Sequence, residues 1–306
     1  MFSNLIKKNL KRLIPRKFRS RIISKIEQKK QDSYLTKLKL NIIKFYDAKE
    51  DITREEEKVL KYLSSHPISI FPYDFQEKYS KSDIELIKDS TNGLYYVMHN
   101  NKKLYFKRSY SEAKIRSLYH GLQLDQDSES PHLYLTEDFN LNSNDVIADI
   151  GAAEGNFSLS NVETVKKIYL FECDEEWIEA LEATFNPWKE KVVICNKFVS
   201  NLDRNDSISL DAFSKEHGDI TFLKVDIEGE EANFLLGGHR FLQSERNYKI
   251  AICTYHKQED EYEFTRLLES FGLHMKPSDG FMIFYHDHSI KEPFLRRGLL
   301  RAEKKV

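Results

Sequence analysis

From residue 144 onward, short apolar runs alternate with helical stretches, and this alternation leaves the chain few architectures to choose from. The runs 146–150, 168–171, 192–195, 220–225 and 250–253 read as strands, with a late one over 281–285. Helical patterns over 174–186, 229–244 and 258–271 lie between them. Strands that take turns with helices build a mainly parallel sheet covered on both faces. The expected fold class is therefore α/β, with a Rossmann-like sheet. Ligands in such sheets sit at the carboxyl ends of the strands, near the point where strand order reverses.

The loop after the first of these strands narrows the choice of ligand. It reads Asp149-Ile150-Gly151-Ala152-Ala153-Glu154-Gly155-Asn156-Phe157. Gly151 permits a sharp turn, the small Ala152 and Ala153 permit close approach, and Gly155 opens a helix whose first amides carry a partial positive field. A dinucleotide loop would read G-x-G-x-x-G and cradle a pyrophosphate. Here the spacing is G-x-x-x-G with Glu154 inside, and an acid repels phosphate but suits a cationic amino-acid ligand. That chemistry favours S-adenosylmethionine over a nicotinamide dinucleotide. Glu172 closes the second strand 21 residues after Gly151, near the offset at which an acid accepts ribose hydroxyls. Asp174 is the better helix-start acid.

A third block, Lys224-Val225-Asp226-Ile227-Glu228-Gly229-Glu230-Glu231, ends the fourth strand beside the same cleft. Asp226 and Glu228 are assigned to the site, whereas Glu230 and Glu231 suit the dipole of the helix that follows. Carboxylates this close in one strand-to-helix turn rarely aim at one point, so no metal is expected.

The rest of the chain is organised by charge. The net charge of −2 hides eleven Lys or Arg against one acid, Glu27, in residues 1–30, which leaves the body near −12. Apolar residues at 2, 5, 6, 10, 13 and 14 follow helical spacing, Pro15 ends or kinks that helix, and Ile22, Ile23 and Ile26 continue the stripe. A basic helix of this kind faces solvent or a protein partner, or lies on an anionic membrane surface. No nucleic-acid motif accompanies it, and it lacks the apolar core of a secretory signal. Residues 33–65 read as helical, with a capping box at Thr53 and Glu56. A β-hairpin over 94–106 turns at His99–Lys102, and a helix follows over 109–122. The polar loop 125–132 either caps the next domain or brings Asp127 and His132 to substrate.

The expected divisions are a basic head (1–50), a helical and hairpin region (51–140), a ligand-binding domain (141–290) and a basic tail (291–306). The tail either assists attachment to an anionic membrane or packs as a short final helix with Leu299 and Leu300 inward. With 40% hydrophobic residues the chain carries a real core, and no run approaches the ~18 apolar residues of a membrane span. Cys173, Cys195 and Cys253 are widely spaced in or beside apolar runs, which argues for buried thiols in a reducing, cytoplasmic setting.

Taken in order, Asp149-Ile150-Gly151-Ala152, Phe171-Glu172, Leu210-Asp211-Ala212-Phe213 and Lys224-Val225-Asp226-Ile227-Glu228-Gly229-Glu230 resemble the FkbM family of S-adenosylmethionine-dependent methyltransferases over about residues 144–285. The resemblance implies a class I methyltransferase fold and O-methylation of a sugar, glycan-related or polyketide-like acceptor. It places the cofactor on Asp149, Gly151, Ala152, Glu154, Gly155, Asn156, Phe157, Glu172, Cys173, Asp226 and Glu228. Two positions depart from the family: Cys173 stands where a proline is usual, and the run Cys253-Thr254-Tyr255-His256 keeps a strand-five histidine but loses a Glu. His256 is the expected base, because histidine takes a hydroxyl proton well near neutral pH. Asp226 is the alternative base, and Lys224 either orients substrate or pairs with Asp226. The altered strand-five motif leaves open a catalytically silent scaffold. A nicotinamide oxidoreductase is disfavoured by the missing third glycine and by Glu154.

Overall fold

The computed structural model describes residues 16–218 and 220–306, with side chains from residue 25 onward. Two compact units emerge, Met1–Ser69 and Ile70–Val306. Helix α1 (Arg16–Asp47) and helix α2 (Arg54–Ser65) form the first. Leu38, Ile42 and Tyr46 are buried on α1 at four-residue spacing, and Val59 and Leu63 on α2. The 33–65 stretch is thus helical on both sides of the Thr53 cap. Thr53 takes extended backbone and caps α2, with its hydroxyl accepting from the Glu56 amide at 3.2 Å and Glu56 accepting from the Thr53 amide at 2.8 Å. The expected helix over 1–14 and the kink at Pro15 lie outside the described residues. So does most of the expected lipid-facing stripe.

In the second unit, β1 (Ile87–Lys88), β2 (Tyr95–His99) and β3 (Lys102–Tyr105) form a three-stranded antiparallel sheet. Asn100 and Asn101 turn the β2–β3 hairpin at φ 49° and 62°, a left-handed pair that asparagine tolerates. Helix α3 (Glu112–Asp125) follows, capped by Ser111. The remaining strands are β4 (Val146–Ile150), β5 (Lys167–Phe171), β6 (Val192–Cys195), β7 (Phe198–Val199), β8 (Ser207–Ile208), β9 (Phe222–Val225), β10 (Tyr248–Cys253), β11 (His274–Pro277) and β12 (Leu299–Lys304). Interleaved helices are α4 (Asn156–Asn161), α5 (Glu175–Phe185), α6 (Leu210–His217), α7 (Glu231–Gly237), α8 (His239–Gln243) and α9 (Asp260–Ser270).

Seven of these strands make one sheet in the order β11-β12-β10-β9-β4-β5-β6. Every pairing from β10 to β6 is parallel, and β12 runs antiparallel to both of its neighbours. This is the class I methyltransferase fold that the alternating pattern and the resemblance lead one to expect. Both faces of the sheet are buried, and alternate residues divide between two cores. Ile147, Phe222, Ala251 and Leu299 face one cluster, while Ala148, Leu223, Ile250 and Leu300 face the other. Such double burial explains why the strands read as continuous apolar runs. The chain leaves β4 toward β5 and β6, then returns to β9 on β4's other side, so the crevice at the switch point opens between β4 and β9.

The end of the chain differs from the sequence reading in two places. Phe281–Tyr285 is not a sheet strand; Met282 makes only an isolated bridge to Arg296. The late strand is β11 instead. The basic tail does not end in a helix: its Leu299–Lys304 is an interior strand, with Leu299, Leu300 and Ala302 inward and at most 1% exposed. Charge conceals this, because Arg301 is buried yet gives its guanidinium to the carbonyls of Leu133 and Tyr134. Among the described residues no helix is long and apolar enough to cross a membrane.

A chain ending at residue 290 is therefore expected to lose its cooperative thermal transition, read by circular dichroism. An unchanged transition would mean that β12 is dispensable. In the full chain, Arg301→Met leaves two buried carbonyls without their donor and is expected to cost about 1–3 kcal/mol in urea unfolding.

Candidate active site

The switch-point crevice is braced from beneath by a buried lysine. Lys224 lies on β9 and Asp149 on β4, and the strand register pairs these two residues directly. The Lys224 Nζ stands 3.1 Å from Asp149 Oδ1 and donates to the Gly151 carbonyl at 2.7 Å. Asp149 is fully buried and accepts from the Ser158 hydroxyl at 2.7 Å through Oδ2. Burial opposes the charge on Lys224, but Asp149 and Asp226 outweigh it and hold its pKa above the ordinary lysine value. The expectation that Lys224 orients substrate or pairs with Asp226 is corrected: its contacts lie with Asp149 and the loop, because β4 and β9 are adjacent.

Above this brace the loop turns tightly. Gly151 has φ +78°, and a Cβ there would stand 2.0 Å from the Asp226 carbonyl oxygen, so no other residue fits. Gly155 is left-handed at φ 79° and leads into α4. Glu172 holds the loop from the side. Its carboxylate accepts from the amides of Ala153 at 3.0 Å, Cys173 at 2.8 Å and Asp174 at 2.9 Å. Ala152, Glu154 and Phe157 are buried, whereas Gly151, Asn156, Glu172 and Cys173 are half-buried along the crevice. Burial raises the Glu154 carboxyl to about 7. Of the three cysteines only Cys253 is fully buried.

Asp226, one residue beyond β9, is the centre of a polar cluster. The Tyr134 hydroxyl donates to its Oδ2 at 3.0 Å and the Tyr255 hydroxyl to its Oδ1 at 3.1 Å. His132 Nε2 lies 3.7 Å from Oδ2 and His256 Nε2 3.6 Å from Oδ1. Burial works against the Asp226 charge, yet Lys224 and then the two histidines overcome it and lower the carboxyl to about 2. His132 is pushed down to about 4, chiefly by burial, and is neutral at physiological pH. Its Nε2 also contacts Cys253 Sγ at 3.4 Å.

His256 is 7% exposed and lies between carboxylates. Its Nδ1 stands 3.0 Å from Glu231 Oε1, and its Nε2 lies 3.7 Å from Glu228 Oε2. Burial alone would lower its pKa, but Glu231, Asp226 and Glu228 together raise it. Glu231 is completely buried and its Oε1 accepts from the Ile227 amide at 3.0 Å. Its assignment to the helix dipole is therefore corrected: at the first turn of α7 the side chain points back under the turn toward His256. Glu228 is exposed and adopts left-handed backbone at φ 55°, a cost of about 1–2 kcal/mol for a residue with a Cβ.

The 125–132 loop divides between its two readings. Asp127 is structural, accepting from Tyr79 at 2.7 Å and pairing with Lys78 at 3.3 Å. His132 does reach the cluster. Tyr134, Tyr255 and Glu231 carry no site signal in the sequence, since each sits in an apolar run or a helix start. Arg296 fixes the backbone under His256 by donating to the carbonyls of Tyr255 at 2.7 Å and His256 at 2.8 Å. An open cleft of about 680 Å³ adjoins His256, lined also by Glu228, Gly229, Lys257, Phe284 and His286.

Residues 196–285 match the family model described as the Methyltransferase FkbM domain. That match agrees with the resemblance read from the motifs of the chain; the glycine loop and Glu172 precede the matched stretch. No curated protein matches the chain. Among solved structures, a methyltransferase FkbM from Methylobacillus flagellatus KT is similar at 16% identity and TM-score 0.42, over 64% of this chain and 56% of that one. The present chain thus spans little more than half of that protein. A SAM-dependent methyltransferase from Aquifex aeolicus matches at 14% identity and TM-score 0.38, over 64% of this chain and 97% of that one. The C-terminal domain of a precorrin-6Y C5,15-methyltransferase from Rhodobacter capsulatus matches at 11% identity and TM-score 0.38, over 60% and 92%.

Removing one partner of a buried ion pair leaves an uncompensated charge. Lys224→Met is expected to destabilise the fold by about 3–5 kcal/mol in urea unfolding, with much of that loss recovered in Lys224→Met/Asp149→Asn. Equal stability of the single and double variants would show that the pair is not what braces the loop.

Proposed function

We propose that this protein transfers a methyl group from S-adenosylmethionine to a hydroxyl of a sugar or glycan-related small molecule. The observation that carries the reading is the convergence of Asp226, His256 and Glu231 at the strand ends directly beside the Gly151 turn. The crevice residues fit the cofactor. The Gly151–Gly155 turn admits a ligand close to backbone, and Glu172, although it accepts three amides, keeps lone pairs for ribose hydroxyls. Asp226, held ionised, gives the crevice the negative character that a cationic ligand favours. Bound there, the cofactor supplies an electrophilic methyl carbon.

The protein's own groups then hold the acceptor. Methyl transfer needs the hydroxyl oxygen about 3 Å from that carbon and in line with the bond that breaks. The cleft beside His256 has room for a sugar-sized acceptor, and its lining of His256, His286, Glu228 and Lys257 offers hydrogen bonds to hydroxyls. His256 lines the cleft with Asp226 Oδ1 3.6 Å from its Nε2, and this pair takes the acceptor proton. Tyr134 and Tyr255 fix the Asp226 carboxylate, and Glu231 fixes the imidazole.

Calorimetric titration with S-adenosylmethionine tests the cofactor assignment: the protein is expected to bind it, and Glu172→Ala to weaken binding at least tenfold, about 1.4 kcal/mol. Absence of binding at millimolar cofactor would overturn the reading. His256→Ala is expected to keep cofactor affinity while lowering methyl transfer to sugar acceptors by about 10²–10⁴-fold. Undiminished turnover would remove His256 from the chemistry.

A further inference from the structure

We propose that Asp226, Glu231 and His256 hold a divalent cation at the inner end of the cleft, with Glu228 as an additional ligand from the exposed side. This deepens the methyl-transfer reading and rests on it. The donor atoms of Asp226, Glu231 and His256 all lie within 4.8 Å of one another, a separation that one ion can span. They come from three segments, the turn after β9, the start of α7 and the loop after β10, so their convergence is a property of the fold rather than of adjacent sequence.

The second observation is independent of that spacing. Among the described residues, six buried side-chain polar atoms lack a well-aligned hydrogen bond, and three of them are here: Glu231 Oε2 and both ring nitrogens of His256, of which Nδ1 faces Glu231 Oε1 at 3.0 Å. Glu231 is 0% exposed and His256 7%. An unsatisfied buried polar atom costs about 1–3 kcal/mol, so Glu231 Oε2 and His256 Nε2 call for a partner. Three carboxylates surround one imidazole, and their nearest lysines are committed elsewhere. Lys224 is bonded to Gly151 and paired with Asp149, and Lys257 donates to the Gly229 carbonyl at 2.6 Å. A cation satisfies the orphaned atoms and the charge together.

The donor set indicates the kind of ion. Carboxylate oxygens with one imidazole suit manganese, iron or zinc better than the all-oxygen preference of calcium. The adjoining cleft leaves coordination positions for water or an acceptor hydroxyl. A hydroxyl bound to such an ion becomes more acidic, so the ion stabilises the alkoxide that attacks the methyl carbon. With the ion in place His256 is a ligand, and the acceptor proton passes to solvent in the open cleft. Spacing in the sequence conceals the site, because its donors are Asp226, Glu231 and His256, not the Asp226, Glu228 and Glu230 of a single turn.

The test is titration of the metal-free full chain with Mn²⁺, followed by electron paramagnetic resonance, with S-adenosylmethionine affinity measured on the same samples by calorimetry. One Mn²⁺ per chain is expected, with affinity reduced roughly 10- to 100-fold in Glu231→Gln and His256→Ala. Should the buried Glu231→Gln variant fail to fold, the exposed Glu228→Gln reports instead, with a smaller loss of Mn²⁺ affinity. No Mn²⁺ binding at millimolar metal, or binding unchanged in the folded variants, overturns the cation site. If cofactor binding persists in that case, the methyl-transfer reading stands with His256 as the base; if it too is absent, the failure belongs to that reading.

Discussion

A lysine buried at the centre of a parallel sheet is an expensive device, and the crevice is organised around it. Lys224 occupies a position that β9 would ordinarily give to an aliphatic residue. Taking an ammonium and a carboxylate out of water costs several kcal/mol per ion, and their attraction repays it only when geometry and further hydrogen bonds are good. Here both conditions are met. Asp149 lies across the strand pair with Ser158 bonded to its other oxygen, and the Gly151 carbonyl takes the remaining interaction. The result is a loop fixed by charge at its root and by Glu172 at its flank.

The polar cluster above that brace follows a different economy. Asp226 accepts one tyrosine hydroxyl on each oxygen and is held ionised, with lone pairs left over. His256 and Glu231 are equally buried but incompletely bonded. A core built for stability alone would not combine the two.

The sheet was legible because both of its faces are buried. Strands such as Val146–Ile150 and Tyr248–Cys253 therefore announce themselves as unbroken apolar runs. The glycine loop was legible for steric reasons, and the turn after β9 for its density of charge. Three things were hidden. Glu231 looks like any acid at a helix start, and only the direction of α7 turns it toward His256. Tyr134 and Tyr255 look like core aromatics, since their apolar rings pack while their hydroxyls alone touch Asp226. Arg296 and Arg301 make residues 291–306 look solvated, although both guanidiniums are spent on backbone carbonyls inside the fold. In each case the sequence shows a residue type, and its meaning depends on contacts more than twenty positions away.

Those two arginines have a consequence for how the protein comes into being. Arg301 grips the backbone at Leu133 and Tyr134, and Arg296 grips it at Tyr255 and His256, while β12 inserts between β10 and β11. During synthesis the glycine loop, Asp226 and His256 all leave the ribosome before the segment that secures them. Until then β10 stands as an open sheet edge, a surface that invites pairing with other chains. Assembly of the crevice thus waits for β12, and an arrest of translation before that strand would release a species with its reactive groups made but not yet aligned.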